Sequence, residues 1–124
     1  MVQQTKMKRI PLTYIVRAQS LYVRIFGFED SDGIPLDEIH EYGACKREYD
    51  AYLDKMFGDD VEAMGKLDHM FNSTMLSPGT FKPICDMLRS IGYEVLSADN
   101  ASREEIAACK KELLAKWKER RAAK

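Results

Sequence analysis

The feature that most restricts how this chain can fold is a pair of helix-stopping glycines, Gly58 and Gly92, with a polar turn between them. The stretch FGDDVEAMGKLDHMFNSTMLSPGTFKPICDMLRSIGYEV, over 57–95, reads as two amphipathic helices around that turn. Asp59 or Asp60 caps the first helix by accepting a free first-turn N–H, and Val61, Met64, Leu67, Met70 and Phe71 form its apolar stripe. Thr80 caps the second, which places Pro83 at the third helical position, where no intrahelical bond is lost. Its buried face is Phe81, Ile84, Cys85, Leu88 and Ile91; Gly92 stops it in a left-handed conformation, and YEVL forms a short strand or extended segment.

The flanking segments continue the helical pattern. Pro11 suits a first-turn position, and Leu12, Ile15, Val16, Tyr22, Val23, Ile25 and Phe26 follow it, with Gly27 as the stop. Residues EDSDGIP make a loop. Its acids do not complete a calcium site, because Ile34 and Pro35 stand where an oxygen ligand and a sharply turning Gly are needed. Leu36 to Phe57 is a long helix that Gly43 can interrupt, its tyrosines burying their rings and leaving hydroxyls at a wet edge. Ser102 with Glu105 is a capping box, and the tail helix puts Ile106, Cys109, Leu113 and Trp117 in one stripe. These elements predict an all-α domain of four or five helices with a short β element near 93–96. One domain spans 1–124, ending in a basic helix at about 102–122.

Charge narrows the functional classes. The net charge of −1 conceals blocks: +5 over 1–28, −9 over 29–72 and +4 over 103–124. A polyanion would therefore meet the two ends of the chain, and a basic partner its middle, unless the ends neutralise the middle within the fold. Thr13, Arg17, Ser20 and Arg24 form one polar stripe, which either clamps a phosphate or carboxylate or pairs with local acids. No His/Cys pair has a zinc spacing, no glycine-rich phosphate loop is present, and nothing local activates a thiol, so no metal, cofactor or enzymatic activity is expected. The odd, widely spaced Cys45, Cys85 and Cys109 suit reduced thiols. No apolar run could span a bilayer and the start MVQQTKMKRIPLTY lacks a signal-peptide core, so a cytoplasmic location without membrane insertion is expected.

The pattern AYLDKMFGDDVEAMGKLDHMFN followed by LSPGTFKPICDMLRSIGYEV resembles the Cro/repressor-type helix-turn-helix family. Tyr52, Leu53, Phe57 and Gly58 match its first half, Met64 and Leu67 the core side of its recognition helix, and Thr80, Phe81, Ile84 and Gly92 its closing helix. The resemblance implies a DNA-binding regulator of bacterial or phage type. Asp59, Asp60, Glu62 and Asp68 in the recognition position would repel a phosphate backbone. A second register makes 80–91 the reading helix, with YEVLSAD beginning a wing. The nucleic-acid candidates are then Arg17, Arg24, Thr80, Lys82 and Arg89, joined by Lys116 and Arg120 of the tail. The rival reading is a protein-binding inhibitor or adaptor, of the kind small mobile-element proteins often are, whose acidic middle over 29–68 docks on a basic partner. The tail helix docks, forms a homodimer seam, or lies along nucleic acid.

Overall fold

A computed structural model describes residues 7–29, 40–74 and 81–123. In chain order these form β1 (Lys8–Pro11), α1 (Leu12–Glu29), α2 (His40–Phe57), α3 (Val61–Thr74), α4 (Lys82–Ser90), β2 (Tyr93–Leu96) and α5 (Arg103–Ala122). The loop over 30–35, the helix start at Leu36, the turn before Thr80 and Thr80 itself lie outside the described residues.

The five helices and the strand at 93–96 match the predicted class, and one strand was not anticipated. β1 pairs in parallel with β2, from Lys8 opposite Tyr93 to Pro11 opposite Leu96, and Lys8 N donates to Gly92 O at 3.0 Å. Pro11 is consequently the last residue of a strand and Leu12 the first of the helix. A parallel pair needs a long crossover, here supplied by everything from α1 to α4.

α1 and α2 lie antiparallel. Along their seam Tyr14 meets Tyr52, with ring centroids 5.3 Å apart, Arg17 meets Glu48, Arg24 meets Glu41, and Phe28 meets Tyr42. Ile15, Ala18, Leu21 and Ile25 of α1 are buried against Cys45, Tyr49, Leu53 and Met56 of α2 at three- and four-residue spacing. Gly27 does not stop α1, which runs on to Glu29, and Gly43 does not interrupt α2.

Gly58 does end α2, at a φ of +62°. Asp60 then caps α3, its carboxylate accepting from Ala63 N at 3.1 Å. The buried stripe of α3 is Ala63, Leu67 and Phe71, each fully buried. Val61, expected in the core, is 74% exposed. At 100° per residue it lies roughly 120° around the helix from the centre of that stripe. α4 begins one residue later than expected, with Phe81 at the N-cap and Pro83 in the first turn, and Gly92 follows its end at a φ of +96°. α5 carries the full capping box between Ser102 and Glu105 and packs on α2 and β1.

Candidate functional site: an acidic-rimmed groove and a basic pocket

Six of the seven candidate nucleic-acid contacts lie among the described residues, on α1, α4 and α5. Arg17 donates twice to Glu48, at 2.9 and 3.0 Å, which raises its guanidinium above the usual range, and Arg24 pairs with Glu41. The α1 stripe is thus engaged by carboxylates of α2. Lys82 pairs with Asp86 one turn on, at 2.9 Å, and Arg89 is exposed in the last turn of α4. Thr80 lies outside the described residues. Lys116 and Arg120 stand together in the wall of one cavity.

That cavity, of about 350 Å³, lies between β1, the end of α2 and α5. Among the described residues Lys8, Arg9, Lys55, Lys116 and Arg120 line it together with one carboxylate, Glu112. Arg120 lies over the Gly58 turn and donates to Asp54 O at 2.5 Å, supplying a cation and a donor at the C-terminus of α2. Beneath the cations, Phe57 and Tyr93 meet edge to face with centroids 5.1 Å apart. Tyr93 donates to Asp60 at 2.7 Å; burial, then this bond, pushes its phenol well above the ordinary value. Cys109, also in the wall, donates to Arg9 O at 3.4 Å, and burial pushes its thiol up, away from the nucleophilic thiolate. Lys8, Arg9 and Lys55 are absent from the sequence-derived candidates. For Lys8 and Arg9 the sequence signal was the basic N-terminal block, whereas Lys55 stands within the acidic middle and had none, because three distant elements make the pocket.

A second cavity, of about 490 Å³, runs between α1, α2 and α3. Ile25, Leu53, Val61 and Met64 give it an apolar lining, and among the described residues Glu29, Asp50 and Asp68 stand along it with one cation, Lys46. Two of the carboxylates are fixed by tyrosines: Tyr42 donates to Glu29 at 2.6 Å and Tyr49 to Asp68 at 2.9 Å. Both phenols are raised, Tyr49 mainly by burial and then by its bond to Asp68, Tyr42 mainly by its bond to Glu29, so the hydroxyls remain donors at neutral pH. Gly65 faces open space, so a partner's backbone can approach α3 closely there.

The groove also bears on the helix-turn-helix registers. Glu62, Asp68, Lys66 and His69 are the exposed charged and imidazole side chains of α3. Tyr93–Leu96 does not project as a wing: it is β2, with Tyr93, Val95 and Leu96 buried and β1 along its side. Among the described residues no three His, Cys, Asp or Glu side chains converge as a metal site, and no helix is long and apolar enough to cross a membrane. No protein-family model matches the chain, and no curated protein or solved structure matches it.

Proposed function

We propose that this protein is a non-catalytic inhibitor or adaptor that receives a basic amphipathic helix of a protein partner in the groove between α1, α2 and α3. The observation that carries the reading is Val61, an apolar side chain 74% exposed on a groove that holds Ile25, Leu53 and Met64 along with Glu29, Asp50 and Asp68. An occupant with apolar residues at i, i+3, i+4 and i+7 covers that lining, and lysines or arginines on its flanks meet the carboxylates. Charge complementarity speeds encounter and fixes orientation, while the apolar contact supplies most of the affinity.

The competing reading, duplex DNA binding through a helix-turn-helix, draws on the tight α2–Gly58–α3 turn and on exposed Arg89. One titration separates the two. A labelled helical peptide of leucines and lysines in that pattern, and a labelled random duplex, are each titrated with the protein and followed by anisotropy at low and moderate salt. The groove reading expects peptide binding that falls by about tenfold or more in Gly65→Leu and in Asp50→Lys, roughly the loss of one buried contact or one close charge pair. Salt-sensitive duplex binding that Arg89→Glu weakens, with no peptide binding, overturns it in favour of DNA.

A further inference from the structure

The cavity between β1, α2 and α5 has the opposite character from the groove and carries a separate inference. Among the described residues its wall holds five cations against one carboxylate, in a chain whose net charge is −1. Four of the cations are held in place. Lys8 Nζ sits 5.7 Å from the centroid of Tyr93, Lys55 Nζ sits 4.8 Å from the centroids of both Tyr52 and Trp117, Lys116 is 3.0 Å from Glu112, and Arg120 is fixed by the Asp54 carbonyl. These contacts leave donors over, since an ammonium has three N–H groups and a guanidinium five. Among the described residues Lys8, Lys55 and Arg120 form no ion pair with a carboxylate. The Nε of Arg120 is buried without any hydrogen-bond partner, on a side chain that lines the cavity. A bare buried N–H in a cavity wall is the group that a ligand oxygen satisfies.

We infer that this cavity binds a phosphate monoester carrying a small apolar body, a ligand of the mononucleotide kind. The charge argument favours phosphate over carboxylate: a monoester brings a charge of about −1.5 to −2 and three acceptor oxygens to a wall with several spare donors. The apolar part of the lining receives the body, because half-buried Met7 and Leu113 stand in the wall beside the cations. A volume of about 350 Å³ is within the range of small-ligand pockets. A free nucleotide and the 5′-phosphorylated end of a strand share this chemistry. The inference does not depend on the groove, which is lined by other residues.

The test is calorimetric titration of the full chain, at near-physiological salt, with adenosine 5′-monophosphate, adenosine, and a short oligonucleotide with and without a 5′-phosphate. The expected result is binding of the monophosphate or of the 5′-phosphorylated strand, whichever is tighter naming the source, with the unphosphorylated counterpart weaker by about tenfold or more. The double variant Lys8→Gln/Lys116→Gln, both side chains exposed, should lose about tenfold, while Lys111→Gln/Lys118→Gln, an equal charge change on exposed positions of α5 that do not line the cavity, should stay within about twofold. Thermal melts of both variants report that the fold is retained. Equal binding of phosphorylated and unphosphorylated probes, equal losses in the two double variants, or no heat with either phosphorylated probe overturns the inference.

Discussion

Asp60 serves two elements with one carboxylate. It accepts from Ala63 N at 3.1 Å to cap α3 and from the Tyr93 hydroxyl at 2.7 Å to tie that cap to β2. The Tyr93 bond first, then the backbone N–H, holds its carboxyl below the ordinary 3.8. A folded value below the unfolded one means that the stabilisation is complete above the unfolded value and disappears as pH falls through the folded one. Asp60→Ala should therefore cost about 1–3 kcal/mol near neutrality, from a lost cap and a buried hydroxyl left without an acceptor. Denaturant melts of wild type and variant at pH 7 and below pH 4 check this. The gap should shrink on the acid side, and a gap independent of pH would show that the carboxylate charge plays no part. Asp60 was readable as a cap from its place after Gly58, whereas its bond to Tyr93 was not, because 33 positions separate the two.

At the scale of elements, legibility followed the range of the interaction. Gly58, Gly92 and the Ser102–Glu105 box act on backbone within a turn of themselves, and each stops or starts its helix where local chemistry places it. Pro11 was misread because first-turn helix and strand end both tolerate a residue without an N–H; what selects the strand is β2, far along the chain. Val61 was misread because the apolar spacing of α3 fits two overlapping stripes, and packing on α2 and α4 chose the one through Ala63. The basic pocket was illegible for the same reason, its cations coming from β1, α2 and α5. Gly65 tests the local side of this account. It is an exposed residue inside α3 with open space where a Cβ would go, so Gly65→Ala should raise stability by about 0.5–1 kcal/mol through helix propensity alone. A chemical-denaturation midpoint that moves up without a change in slope is the expected readout.

On the scale of the whole molecule, the charge blocks become an arrangement of faces. The acidic middle partly neutralises the N-terminal block through Arg17–Glu48 and Arg24–Glu41, and three of its other carboxylates, Glu29, Asp50 and Asp68, line the groove. Of the other N-terminal cations, Lys8 and Arg9 join the tail at the pocket. Burial of β1 is what joins the two ends. Ile10 is fully buried, and Ile10→Ala should cost about 2–5 kcal/mol, measured by equilibrium unfolding, with the loss appearing chiefly as faster unfolding. A variant that folds more slowly and unfolds at the wild-type rate would place β1 in the folding nucleus instead.

The parallel pairing of Lys8–Pro11 with Tyr93–Leu96 also sets an order on synthesis. The strand made first waits for a partner 85 positions later, since Lys8 stands opposite Tyr93. Closing a loop of that length costs about 4 kcal/mol by chain-entropy scaling if nothing inside it has ordered. On the ribosome α1, α2 and α3 emerge while Ile10 is still uncovered, and the apolar side of β1 is exposed to chaperones and to other nascent chains until β2 and α5 follow. A chain stalled or cleaved before Tyr93 leaves that strand without its partner, so for this protein the synthesis of β2 is the step that makes β1 safe.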